Sequence, residues 1–135
     1  MRSSIAIVDS DATTLQALRL LLGPLDVEIY AYDSAESYLA QATKRKTPTC
    51  LLVDLALSGM SGLQLLKQVR AVNAELPVIL LAAETDVSIA VDAMRHGATD
   101  FIEKPQMDVA LLRRVSQLVR SGTRNVARDA RRETR

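Results

Sequence analysis

Aromatic residues are scarce in this chain: one Phe and three Tyr make up 3% of it. A core without large rings must be filled by Leu, Ile, Val and Ala. A surface without them offers no platform for stacking the bases of single-stranded nucleic acid. Cysteine is down to one, Cys50, which excludes an intramolecular disulfide and a cysteine-cluster zinc site. Cys50 lies in an apolar run and is expected to be a buried filler. Long hydrophobic runs are lacking too. The first, Ile5 to Val8, stops at Asp9, too short for the apolar region of a secretory leader. Nothing approaches the roughly 20 apolar residues that span a bilayer. An excess of one charge is also missing: the net charge of +1 gives no pointer to a polyanion or a membrane. The expectation is a cytoplasmic protein with no membrane contact.

What is there suits one domain. The chain has 135 residues, 48% apolar and 24% charged, enough for one buried core and too few for two ordinary ones. The charge is unevenly placed. Residues 121–135 carry five Arg against Asp129 and Glu133, leaving 12 basic and 14 acidic residues in the remainder. The basic end reads first as a solvated helix end or linker, and second as a nucleic-acid contact.

Apolar runs alternate with helical periods. Ile5–Val8, Cys50–Val53 and Pro77–Leu81 are short runs without polar alternation, as in strands covered on both faces. Val27–Tyr32 and Thr99–Ile102 are weaker strand candidates. Ala12, Leu15, Leu18 and Leu22 share a helical face, with Asp11 as cap and Gly23-Pro24 as stop. Asp33 with Glu36, and Ser61 with Gln64, have capping-box spacing. Asp86 can cap a helix carrying Ile89, Ala90, Ala93 and Met94, which Gly97 would end. His96 sits at that helix end, where a capping or surface role is expected. The last helix holds Val109, Leu112, Val115 and Val119. Five strand–helix repeats predict an α/β fold with a parallel sheet and right-handed crossovers. Ligand sites in such sheets lie outside the carboxyl ends of the strands. That places Asp9 to Asp11, Asp54, Ala82 to Thr85 and Lys104 at one rim.

Asp9 and Asp54 would converge there. Paired carboxylates that both stay ionised normally hold a cation, and oxygen ligands with a phosphate suit Mg²⁺. Lys104 would bring a positive charge able to pair with Asp54 or with a phosphoryl oxygen. Carboxylate, metal and lysine are the parts needed to transfer a phosphoryl group to an aspartate. A strand-end Asp can also be a simple cap, and Asp11 is expected to be one. Asp54, between four apolar residues and Leu55, does not suit that role.

The motifs Ile7-Val8-Asp9, Leu52-Val53-Asp54, Gly59-Met60-Ser61-Gly62, Gly97-Ala98 and Asp100-Phe101-Ile102-Glu103-Lys104-Pro105 stand in order along the chain. In these it resembles the receiver domains of two-component response regulators, from Ser4 to about Arg120. The flavour is that of receivers from nodulation and nitrogen-fixation type transcription factors. The resemblance implies a flavodoxin-like (βα)5 sheet in strand order 2-1-3-4-5. Residues 1–120 would be the receiver and 121–135 a basic tail or interdomain linker. Asp54 would accept phosphoryl from the phosphohistidine of a sensor histidine kinase. Asp9, Asp54 and the Ala56 carbonyl would hold Mg²⁺, with Ser10 or Asp11 as further candidates. Lys104 would meet the acyl phosphate, and Ala82 and Ala83 would line the phosphate position. Phe101 would be the aromatic switch, with Ala82 as its partner position. The fourth and fifth helix–strand face would serve a homodimer or an output. The protein would not be an enzyme beyond self-catalysed phosphoryl transfer and autodephosphorylation. DNA would be met only through a separate output domain, and the basic end is expected to be the linker to one.

Three positions depart from the family pattern. Ser10 replaces the second of two adjacent acids, so Mg²⁺ affinity should fall. Ala82 stands where Thr or Ser normally bonds the phosphoryl oxygen. A charge-assisted bond of that kind contributes roughly 1.5–3 kcal/mol. Ser58 replaces the usual Pro before Gly59, which affects the loop more than the chemistry. Two other readings compete. Ser10 and Ala82 would suit a degenerate receiver used only for protein interaction or dimerisation. A small flavin- or nucleotide-binding enzyme could share the topology. However, Asp9-Ser10-Asp11-Ala12 is acidic where a phosphate loop needs glycines and amides.

Overall fold

The apolar runs become strands because both of their faces are covered. The structure is a computed structural model that describes residues 2–82, 87–104 and 108–133. In chain order the elements are β1 (Ser4–Val8), α1 (Ala12–Leu22), β2 (Glu28–Tyr32), α2 (Ala35–Ala42) and β3 (Cys50–Asp54). Then follow α3 (Gly62–Val72), β4 (Val78–Ala82), α4 (Val87–Arg95), β5 (Asp100–Glu103) and α5 (Val109–Glu133). The five strands form one parallel sheet in the order β2-β1-β3-β4-β5. This is the expected doubly wound order.

Side chains alternate across the sheet and sort the core into two halves. Ala6, Val8, Leu51, Val53, Val78 and Leu80 face α2, α3 and α4, where Tyr38, Leu65, Leu66, Val69 and Ala93 meet them. Ile5, Ile7, Cys50, Leu52, Ile79 and Leu81 face the other way, against Leu18 and Leu22 of α1 and Leu111 and Val115 of α5. Cys50 is fully buried, and burial pushes its thiol up to about 12; it is the filler that the sequence suggests.

Local signals mostly hold. Asp11 caps α1, its Oδ1 accepting from the Thr13 amide and its Oδ2 from the Thr14 hydroxyl. Ser61 and Gln64 form the full capping box of α3. His96 sits just beyond α4, with Nδ1 2.8 Å from the Asp92 carbonyl. Gly97 follows at φ +95°, a left-handed conformation that glycine adopts without steric cost.

Two details differ. Ala12 is exposed and Thr14 is buried in its stead, because the Asp11–Thr14 bond satisfies the hydroxyl and lets it turn inward. The cap of α2 is Ser34, not Asp33: Ser34 Oγ accepts from the Ser37 amide. Asp33 accepts instead from the Ser37 hydroxyl. The expected cap at Asp86 lies outside the described residues. Helix α5 continues through most of the basic end, to Glu133. Among the described residues no helix is long and apolar enough to cross a membrane.

Candidate functional site

Three strand ends converge at the carboxyl rim of the sheet. Asp9 follows β1, Asp54 ends β3 and Lys104 follows β5. Lys104 Nζ lies 2.9 Å from Asp9 Oδ2 and 3.2 Å from Asp54 Oδ2. The lysine therefore bridges both carboxylates, where the sequence suggested a pairing with Asp54 or a phosphate.

The backbone holds each acid in place. The Asp9 amide donates to the Tyr32 carbonyl at 3.0 Å, and the Leu55 amide donates to the Leu81 carbonyl at 2.8 Å. Asp9 Oδ1 accepts from the Asp11 amide at 2.8 Å. Asp54 Oδ1 accepts from the Ala56 amide at 3.1 Å. Gly62 opens α3 against the end of β3: a Cβ added there would collide with the Asp54 carbonyl oxygen. Only the absence of a side chain lets the helix start so close to the acid. The loop between them is tied to α2, because Glu36 Oε2 accepts from the Met60 amide at 3.2 Å. Sequence reasoning gave Glu36 a capping role, since its spacing from Asp33 allowed no distinction from a long-range contact.

The charges are nearly sealed. Asp9 is 0% exposed and Asp54 6%. Burial holds the Asp9 carboxyl above its ordinary value, and the nearby Asp54 charge adds to this; the Asp11 amide and Lys104 oppose it incompletely. Burial alone would lower the Lys104 ammonium, but its contacts with Asp9 and Asp54 outweigh that and raise it. Two carboxylates against one lysine leave the cluster one negative charge in excess when all are ionised. Asp9 Oδ2 has the lysine as a charge neighbour at 2.9 Å, but no donor is aligned on it to make a hydrogen bond. A buried oxygen with no aligned donor, in an all-oxygen donor set with negative excess, fits a small hard cation. Among the described residues no three His, Cys, Asp or Glu gather as a ready metal cluster. A cation would therefore draw its remaining ligands from carbonyls and water.

The other expected residues divide. Ser10 is exposed beside Asp9 and adds no charge. Both Asp11 oxygens are engaged in capping α1. Ala82 ends β4, 4% exposed and paired in register with Glu103; it brings no hydroxyl to the rim. Ala83 lies outside the described residues. Phe101 is half-buried, packs on the α2–α3–α4 half of the core and pairs in register with Leu80. A cleft between β2, α2 and the end of α3 contains none of these residues in its wall. Chemistry rather than concavity marks the site.

Known proteins carry the same plan. FixJ, a transcriptional regulatory protein of Azorhizobium caulinodans, is 35% identical over 96% of this chain, which covers 61% of FixJ. The C4-dicarboxylate transport transcriptional regulatory protein DctD of Pseudomonas aeruginosa is 37% identical over 82% of this chain, which covers 24% of DctD. The chain thus spans about three-fifths of one such curated relative and about a quarter of the other. Among solved structures, a response regulator receiver protein from Pseudoalteromonas atlantica superposes with a TM-score of 0.78 at 33% identity. That match covers 88% of this chain and 98% of the other. Full-length FixJ from B. japonicum gives 0.79 at 28% identity, over 96% of this chain and 66% of that one. The family model of the response regulator receiver domain matches residues 5–116, and the chain belongs to that family.

Proposed function

We propose that this chain is a working phosphoacceptor: Asp54 takes a phosphoryl group from the phosphohistidine of a sensor histidine kinase. The observation that carries the reading is the bridge of Lys104 between Asp9 and Asp54. An Asp54 oxygen attacks phosphorus in line, the phosphorus–nitrogen bond breaks, and the imidazole leaves with the bonding pair and takes a proton. Lys104 turns from the carboxylates towards the charge that the acyl phosphate brings. Asp9 keeps the lysine and the acceptor in register. Asp9, Asp54 and the Ala56 carbonyl would hold Mg²⁺, with Ser10 or Asp11 as outer candidates. When bound, that ion supplies neutralisation of the phosphoryl oxygens. Residues 1–120 form the receiver unit and 121–135 a basic linker. The output is transcriptional through a separate DNA-binding domain, and phosphorylation changes the α4–β5–α5 face used for homodimerisation. Chemistry beyond this is confined to self-catalysed transfer and autodephosphorylation, and the setting is the cytoplasm.

A second reading has its own support. The bare rim at Ala82 and the neutral Ser10 favour a degenerate receiver that acts by contact alone. Intact mass after incubation with acetyl phosphate and Mg²⁺, and with a phosphorylated cognate kinase, separates the two. A phosphoryl-sized gain in the native protein and none in Asp54→Ala is expected. A folded native protein that gains nothing from either donor overturns the acceptor reading.

A further inference from the structure

The scarce aromatic residues are not scattered. All three tyrosines, Tyr30, Tyr32 and Tyr38, line one groove of about 240 Å³ between the edge strand β2, helix α2 and the end of α3. None of the carboxylate–lysine cluster touches it. Tyr32 and Tyr38 meet edge-to-face, with ring centroids 5.3 Å apart, and this fixes one wall. Tyr38 is almost fully buried. The rim is cationic: Arg45 and Lys46 both line the groove, and the Arg45 guanidinium lies 4.5 Å above the Tyr30 ring. Among the described residues no Asp or Glu lines it. Glu28 accepts from the Tyr30 hydroxyl at 2.8 Å and lines the adjoining cleft instead.

We infer that this tyrosine-walled groove is a binding site for a small planar aromatic anion. Apolar and ring-bearing walls take a flat hydrophobic body. A guanidinium held against an aromatic face keeps its N–H edges for a carboxylate or phosphate. In the adjoining cleft Arg45 and Lys46 stand with one carboxylate, Glu28, so the rim keeps a positive excess. The volume is below that of drug-sized pockets, so the ligand has one or two rings. An aryl carboxylate and an aryl phosphate share this chemistry. The site is independent of phosphoryl transfer at Asp54, and its failure would leave that reading untouched.

The test uses the full chain, amide NMR shifts, and three probes: 2-naphthoate, 2-naphthyl phosphate and uncharged 2-naphthamide. Saturable binding of one or both anions is expected, with shifts confined to residues 3–7, 28–49 and 69–76. The tighter anion identifies the head group. The amide should bind roughly tenfold more weakly or worse, the loss of a charge-assisted bond. Arg45→Gln with Lys46→Gln, both exposed and so compatible with folding, should weaken the anions by a similar factor and leave the amide unchanged. Urea unfolding of that variant verifies its fold. No saturable binding of either anion at millimolar concentration overturns the proposal. So do equal affinities for the anions and the amide, or shifts mapping elsewhere.

Discussion

The carboxyl rim of the sheet has two unlike halves. Around β1, β3 and β5 it is crowded with charge: Asp9, Asp54 and Lys104 lie within 3.2 Å of one another through the lysine. At the end of β4, Ala82 closes the rim with a methyl group, and next to Asp9 stands the neutral Ser10. On the proposed reading, Asp9, Asp54 and Lys104 receive the phosphoryl group and position 82 responds to it, so the two tasks fall to separate residues. A chain can keep the first set while simplifying the second.

The largest effect should come from the charged half. Lys104→Met removes the cation from a buried carboxylate pair, and breaking such a pair costs several kcal/mol when it is sealed. With Lys104 partly exposed, a loss of about 2 kcal/mol at pH 7 is expected in urea unfolding; no loss would show that the bridge is not structural. Next comes the bare half. Ala82→Thr supplies the missing hydroxyl, and a bond to a phosphoryl oxygen is worth roughly tenfold or more in a conformational equilibrium. Hydrogen exchange over residues 100–103 should then respond to phosphorylation several-fold more than in the native chain. An unchanged response would place the coupling elsewhere. Ser10→Asp adds a carboxylate beside Asp9 and should tighten Mg²⁺ binding by about tenfold, roughly 1.4 kcal/mol, read by calorimetric titration. Equal affinity would mean that position 10 does not face the cation.

The smallest effect concerns pH. Burial raises the Asp9 carboxyl in the folded state, so the folded chain holds this proton more tightly than the unfolded one. The group therefore costs stability as pH rises from its ordinary value through its raised one, the reverse of a salt-bridged acid. Asp9→Asn should stabilise by roughly 1 kcal/mol at pH 7. That advantage should shrink as pH falls through the raised value towards 3.8. An advantage that persists in acid would trace it to packing instead. Lys104 has the ordinary sign for a paired cation: its raised value adds stability below pH 10.5 that is lost above it.

Much of this was legible in the residues. The β–α alternation gives the sheet and its covered faces, and the strand-end rule brings Asp9, Asp54 and Lys104 together without a structure. Ser61 with Gln64 announces its cap by spacing alone. Other features depend on three-dimensional choice. Asp33 and Ser34 are adjacent and both cap well, so only backbone direction selects Ser34. Glu36 reaches a loop 24 residues away, which no local spacing encodes. The closeness of Gly62 to the Asp54 carbonyl follows from helix–strand packing. The length of α5 was half legible: the arginine-rich end reads as a solvated helix end or a linker, and without an apolar period spacing does not choose between them, although Ala, Arg and Glu favour helix.

Neighbouring residues of β5 belong to opposite halves of the core: Phe101 to the α2–α3–α4 side and Ile102 to the α1–α5 side. Phe101 is also the one phenylalanine of the chain, which has no tryptophan. Biosynthetic incorporation of fluorophenylalanine would place a single fluorine nucleus at this position, giving one resonance with no assignment problem. The adjacent Ile102 methyl, behind the sheet, would serve as an internal reference, so that a local movement of the ring could be told from a shift of the whole strand.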